Sequence, residues 1–519
     1  MDKLNFKQQI LSYTSRDNAP FKVYLFGKEE IKVYANSIKE FNDVIFFIAK
    51  EHKKKYLFLY YENIANKIHP GFEGVIFSST NGENHFIKKC NLSTYNRRAL
   101  QNIFPFANAV TIGLNNSFGF GDRLGLANPA HIRSVLNSDF KPILAQQSIR
   151  ELTRTNRTPA EVMDAAVWAV FQEGYQKGFG ADADHLKTND DIDLMLANGF
   201  RMFTFDPSEY VINEADHISE TELDKRINNL NWKGLKSNIK ELSAQYLDIE
   251  FVFSENLVIK SDLISIKRAL VKYGNAVAHI KILYDHLVTN YPDYDSEVEI
   301  SVDETESVTT PFEHFFFVKE LNRLGINFIS LAPRFIGDFE KGIDYKGDLD
   351  LFKQEYLKHL AITKYFGNYK ISLHSGSDKF SVYKVIGSIK GAYTHIKTAG
   401  TSYLEALKVM AIKEPNFFIE ILDYCTALYE LEKKTYHVSA DLNKIKTAKD
   451  YSNEELEPLF YDDNVRQVLH VTFGRVLTDK TTNGEYKFKD RLLDYLNTYE
   501  DTYYKIIEIH FQKHLDPFK

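Results

Sequence analysis

"EVEISVDETESVTTPFEHFFFVKELNRLGINFISLAPR", residues 297–334, carries a strand, a helix and a second strand in one run. In its first part Val298, Ile300 and Val302 alternate with Glu299, Ser301 and Asp303. Successive strand side chains point to opposite faces, so one face is apolar and the other is acidic. "TTPFEHFFFVKELNRLG" then reads as an amphipathic helix, and "NFISLAPR" returns to strand. Strands alternating with helices build a parallel sheet.

The same alternation extends in both directions. Upstream lie "AVTIGLNNSFGFGD", "KPILAQQS", "FGADADHLKT" and "FRMFTFDP". Between them runs the helix "TPAEVMDAAVWAVFQEGYQK", where Thr158 caps, Pro159 suits the first turn and Glu161 completes a capping box. A second helix, "TNDDIDLMLANG", stops at Gly199. Downstream the helix "LDLFKQEYLKHLAITKYFG" precedes "YKISLHSG" and "THIKTAG". Eight strand candidates in an α/β chain predict a (β/α)8 TIM-type barrel. The alternative is an open doubly wound sheet, but no G-x-G-x-x-G follows the first strand.

Four parts are expected. Residues 1–105, with short aromatic and β-branched runs such as "KYLFLYY", form an N-terminal α/β module. Residues 106–410 form the catalytic barrel. Residues 207–296 are polar and mostly helical, an insertion and a candidate lid. Residues 411–519 are a helical C-terminal extension packed on the barrel; there Val465, Val468, Leu469, Thr472 and Val476 share one face at helical spacing.

At 519 residues the chain exceeds a single core. With 44% hydrophobic and 26% charged residues it has an ordinary soluble composition. A net charge of −7 offers no basic footprint for nucleic acid. Cys90 and Cys425 fit no metal or redox spacing and read as plain thiols. "MDKLNFKQQI" is not a signal peptide, and no run reaches membrane-spanning length, so a cytoplasmic protein without a membrane partner is expected.

Barrel enzymes put their chemistry where strands end. Here the ends supply Asp122 and Arg123, Gln146 and Gln147, Asp184 and His185, Asp206, Asp303 and Glu304, Arg334, His374 and Ser375, and Lys397. One such residue is an ordinary cap. A whole ring converging on one mouth needs a substrate or metal to satisfy it. Parity turns Glu299 and Asp303 inward, where a carboxylate is costly unless paired or metal-bound. His185 and His374, with a third ligand from Glu299, Asp303 or His314, would hold one divalent cation (Zn, Mn, Fe, Co or Ni). Arg123, Arg334 and Lys397 fit an anionic substrate, unless they merely pair with Asp122, Asp206 or Asp303.

Six blocks in order resemble the bacterial tagaturonate epimerase family: "SFGFGDRLGLANPAH", "FGADADHLK", "ISVDETESVTTPFEHFFF", "PRFIGDFEKGIDY", "SLHSGSDKF" and "HIKTAGTSYLEAL". Asp184-His185 is also similar to the Asp-His pair of metal-dependent aldolases. The resemblance implies a metal-dependent epimerase of hexuronate catabolism that interconverts two ketouronates, tagaturonate and fructuronate. Those epimers differ at the carbon β to the ketone, which a retro-aldol cleavage and re-addition can invert. On this reading Asp122 is the base and Glu299 or Asp303 the acid. His185 and His374 hold the metal, while Arg123, Gln146, Asp184, Arg334, Ser375 and Lys397 bind the small-molecule ketouronate. The alternatives are another metal-dependent aldolase or epimerase of keto-sugars or their phosphates, and a non-catalytic sugar-acid binding protein.

Overall fold

The structure is a computed structural model that describes residues 7, 10–11, 20–25, 29–62, 71–78 and 86–519. Most of "MDKLNFKQQI" lies outside the described residues. Eight parallel strands close into a barrel in sequence order: Ser117–Phe120, Lys141–Ser148, Gly180–Leu186, Met202–Phe205, Glu297–Ser301, Ser330–Ala332, Lys370–Leu373 and Thr394–Thr398. Closure is made by strand eight on strand one, with His395 opposite Ser117 and Lys397 opposite Gly119.

The stretch 297–334 folds as its pattern dictates. Glu299 pairs with Ser330 and Ser301 with Ala332, so strands five and six are parallel neighbours. Between them the helix Pro311–Arg323 starts on a full capping box, Thr310 with Glu313, and has Pro311 in its first turn. Its phenylalanines 315, 316 and 317 are buried against the barrel wall and neighbouring helices.

The barrel interior is unusually polar. Typical barrels fill it with branched apolar residues. Here Ser117, Asp182, Thr204, Glu299, Ser330, Lys370, Ser372, His395 and Lys397 are buried along the strands. Their partners are one another, as in Lys370 Nζ donating to Ser117 Oγ at 3.2 Å.

Between strands four and five the chain is not all helical. Three short helices, Glu220–Asn228, Trp232–Leu235 and Ile239–Ser243, lead into a hairpin, Glu250–Ser254 with Leu257–Lys260, and then the helix Leu263–Asn290. That long helix packs on both Asn189–Leu196 and Pro311–Arg323. It therefore serves as the crossover helix of the fourth β/α unit, fixed by Lys272 Nζ on Glu313 at 2.6 Å and by His286 on Asp193 at 2.6 Å.

The N-terminal part is a seven-stranded antiparallel sheet followed by the helix Thr94–Ile103. One apolar core runs from this sheet through the barrel into the C-terminal helices. Where "DDNVRQVLHVTFGRVLTD" reads as one helix, the chain breaks at Thr472 into Asp463–Val471 and Phe473–Thr478. The last helix, Glu500–Leu515, sets Phe511 against Phe118 and Phe120 of strand one.

Glu500 joins the sheet to that helix. Its carboxylate accepts from Tyr34 and lies 2.6 Å from Lys50 Nζ and 2.5 Å from Lys55 Nζ. Burial raises the pKa of Glu500, but Lys55 and Lys50 outweigh it and hold the carboxyl below its usual range. A depressed carboxyl adds stability above its unfolded pKa and loses it as pH falls. Glu500→Gln should therefore cost about 3 kcal/mol at neutral pH, as expected for a broken buried pair. The deficit should shrink as pH drops below the ordinary glutamate range. Thermal melts of both proteins across pH check this; a deficit that does not depend on pH argues against it.

Candidate active site

Strand three supplies the first elements of the site. Asp182 and Asp184 share its inward face, and simple parity would turn His185 outward. It does not. The pairing with strand four shifts register between Ala183 and Leu186, and His185 sits at φ 53°. A non-glycine residue in this left-handed region is uncommon and strained, and such strain collects at functional sites. The irregularity brings the imidazole into the mouth, with its ring centre 5.1 Å from that of His374. Ser375, just past strand seven, is also left-handed, at φ 52°.

Beneath the two histidines lies a buried charge cluster. Lys397 Nζ is 2.7 Å from Asp182, 2.7 Å from Asp184, 2.8 Å from Glu299 and 2.6 Å from Thr204 Oγ1. Burial works against its charge, but the three carboxylates hold its pKa well above the usual lysine value. Asp182 is raised, chiefly by burial. Glu299 and Asp184 are buried as well, yet Lys397 draws both below the usual carboxylate range.

Each histidine is held from behind by a carboxylate. His185 Nδ1 is 3.2 Å from Asp206, which leaves Nε2 toward Asp184 at 3.7 Å. His374 Nε2 is 2.7 Å from Glu299, which leaves Nδ1 toward Asp303 at 3.2 Å. Burial disfavours their charge, but Asp184 and Asp206 raise His185 to about 10, and Asp303 with Glu299 raises His374 to about 9. Both imidazoles lie where a cation is strongly favoured.

Above this floor opens a narrow cleft of about 60 Å3, which adjoins a wider one of about 320 Å3. It is lined by Asp184, His185, Asp303, His374 and Lys397, and by Arg123, Gln146, Arg150, Glu151 and Lys341. Arg123 Nη1, Gln146 Oε1 and His470 Nδ1 line it without a hydrogen-bond partner among the described residues. No residue of 207–296 lines the cleft. The insertion expected as a lid is wall; the cover comes from Tyr436 and His470 of the tail and from the loop after strand six.

Several expected roles are corrected. Asp122 is not placed to act as a base. Its Oδ1 accepts from Leu124 N and Gly125 N and its Oδ2 from Ala127 N, so it ties the loop after strand one and lines no part of the cleft. His314 does not line the cleft. It is buried outside the barrel wall, 2.8 Å from His359 and 2.6 Å from the Tyr369 hydroxyl. Glu299 is fully buried below the floor and holds His374 and Lys397 rather than reaching the cleft. Lys397 reaches the cleft but is caged by three carboxylates. Arg334 lines an adjoining cleft that shares Asp303, Lys341, His374 and Ser375 with the main one.

The structure brings Arg123, Gln146, Asp184, His185, Asp303, His374, Ser375 and Lys397 to one mouth. Sequence reasoning passed over Arg150, Glu151, Lys341, Tyr436 and His470. Glu151 had a signal: Ser148 caps the helix Ile149–Thr155 by accepting from Glu151 N, which places the acid one turn above strand two. The long loop 333–348 was a hint for Lys341, since such loops often carry function. Tyr436 and His470 had none.

Comparison with known proteins agrees with this architecture. The model of the tagaturonate epimerase family matches residues 34–518.

The chain belongs to the tagaturonate epimerase family.

It is 42% identical over 487 residues to the tagaturonate/fructuronate epimerase of Thermotoga maritima, covering 93% of this chain and 96% of that protein. It superposes with a TM-score of 0.87 on a glycerol-complexed crystal structure of fructuronate-tagaturonate epimerase from Cohnella laeviribosi. That protein is 37% identical, with 94% of this chain and 96% of the other covered. The native crystal structure of the same epimerase also gives 0.87. Among the described residues no helix is long and apolar enough to cross a membrane.

Gly119 tests the packing of the cleft floor. A Cβ there would overlap the carboxamide of Gln146. Gly119→Ala should displace Gln146, with an overpacking cost of about 1–3 kcal/mol and a loss of turnover. Adding Gln146→Ala should recover the stability but not the turnover. If the double variant is no more stable than Gly119→Ala, the clash lies elsewhere.

Proposed function

We propose that the protein epimerises tagaturonate to fructuronate with the help of one divalent cation, by retro-aldol cleavage and re-addition. The observation that carries this reading is the pair of mouth histidines, each pinned from behind by a buried carboxylate, in a chain that matches its family over residues 34–518.

The donor set fits a divalent cation. Ligand atoms of Asp184, His185 and His374 all lie within 4.8 Å of one another. Two imidazoles and a carboxylate suit Zn, Mn, Fe, Co or Ni. Asp206 on His185 and Glu299 on His374 are the carboxylate–histidine contacts that orient metal-binding imidazoles. When bound, such a cation supplies Lewis-acid stabilisation of an enolate.

The chain's own residues handle the protons. Asp303, two residues past strand five, takes the proton of the β-hydroxyl. The α–β carbon bond then breaks as the hydroxyl oxygen becomes an aldehyde carbonyl, and its electron pair passes to the enolate. The aldehyde turns over, the bond re-forms on its other face, and the new alkoxide is protonated from across the mouth by solvent water held against Glu151, while Asp303 returns its proton to solvent. General acids and bases of this kind contribute typically about 10²–10⁴-fold. Arg123 bonds Glu151 through Nε and Nη2 at 3.1 and 2.9 Å, and so fixes the direction of that carboxyl. Gln146 is left to bind substrate hydroxyls.

The direct test is incubation of metal-loaded protein with tagaturonate and NMR of the product. Fructuronate is expected; its absence under each of the five metals sinks the activity. His185→Ala and His374→Ala should each lower bound metal, read by elemental analysis, along with turnover. Metal retained at the wild-type ratio would remove them as ligands. Asp303→Asn and Glu151→Gln should each cut kcat by about 10²-fold or more while metal content stays unchanged. Reaction in deuterated water separates the routes: retro-aldol leaves the β-carbon's own hydrogen in place and shows ¹³C isotope effects at both the α and β carbons. Deuterium at the β-carbon would rule it out.

A further inference from the structure

The cations that line the cleft are not equally free. Arg123 spends Nε and Nη2 on Glu151 and lies over the ring of Phe473 at 3.5 Å. Arg150 is paired with Glu304 at 3.1 Å. Lys397 is caged by Asp182, Asp184 and Glu299. Lys341 is different. Its Nζ donates to Ser375 Oγ at 2.6 Å, and it makes no ion pair among the described residues. It lines both the main cleft and the adjoining one.

An ammonium half-enclosed by protein and without a counter-ion is costly to hold, yet this one is held firmly. Glu340, before it, accepts from Ser439 Oγ at 2.7 Å and from Gln467 Nε2 at 2.5 Å. Gly342, after it, gives its carbonyl to Arg466 Nε at 2.7 Å. Gly342 is left-handed at φ 76°, and a Cβ there would stand 3.2 Å from His470 Nδ1. Lys379 Nζ donates to the carbonyls of Glu340 and Ile343. The backbone on both sides of Lys341 is thus clamped, and Arg466, Gln467 and His470 belong to one tail helix, Asp463–Val471.

We propose that Lys341, with Ser375 beside it, is the subsite for the carboxylate of a six-carbon sugar acid, and that the C-terminal extension holds it there. The proposal rests on the epimerase reading for the identity of the acid. It sets the direction of the substrate: the carboxylate lies toward strands six and seven, and the carbons to be cleaved lie toward His185 and His374. It also gives the tail helix a task in selecting acids over neutral sugars.

Binding separates this proposal from the epimerase reading. The probes are galactonate and galactitol, which share a carbon skeleton and differ in the carboxylate, titrated into metal-loaded protein. The wild type should bind galactonate more tightly by about 10–100-fold, the range of a charge-assisted hydrogen-bonded pair. Lys341→Met should lose that preference while its affinity for galactitol is unchanged; Lys341→Arg should restore part of it, at the wild-type melting temperature. The proposal is overturned if the wild type shows no preference, if Lys341→Met keeps it, or if it falls with Arg123→Met instead. If the preference follows Lys341 but tagaturonate is not turned over, the subsite stands and the epimerase reading fails.

Discussion

The buried ammonium of Lys397 is the interaction on which the site depends. Strand eight delivers it to a point where strand three supplies Asp182 and Asp184, strand five Glu299, and strand four Thr204. Four strands are thereby tied across the barrel by one charge. Removing one partner of a buried pair typically costs ~3–5 kcal/mol, because the other charge is left uncompensated. The polar interior follows from the same fact: with acids in the centre, apolar neighbours would leave them unsatisfied. The one lysine cannot balance all the acids around it. Asp206 and Asp303 turn to the histidines, and the excess of negative charge keeps both imidazoles in demand for a proton or a metal.

A second dependence runs from the chain's far end to the mouth. Asp378, just past strand seven, accepts from Arg466 at 2.6 Å and from Thr401 at 2.6 Å and lies 2.7 Å from His510. Arg466 also grips Gly342, in the loop that carries Lys341. The loops after strands six, seven and eight and the tail thus form one hydrogen-bonded unit. The insertion between strands four and five takes no part in it and closes the fourth β/α unit instead.

Much of the site was legible along the chain because barrel geometry places strand ends on one face. His374, Asp303, Ser375, Gln146 and Arg123 were found by that rule alone. His185 was found for an incomplete reason: strand parity sends it outward, and only the register shift beside it turns it in. Asp122 ends a strand as the others do, but three backbone amides claim it, and residue type does not reveal that. His314 stands in a first helical turn like many ligands. Whether such a turn faces the mouth or the outer wall depends on helix rotation, and His359 and Tyr369 decide it.

The sequence by itself determined the alternation of strands and helices, the caps that start the helices, the inward parity of Glu299, and the family. These are local patterns with periods of two and 3.6 residues, and pattern survives without coordinates. Tertiary structure alone decided which acids pair with Lys397, which histidines are held by carboxylates, and that Tyr436, His470 and a clamped Lys341 complete the cleft. Such contacts join residues up to hundreds of positions apart. Their free energy comes from distance and desolvation, which no local pattern records.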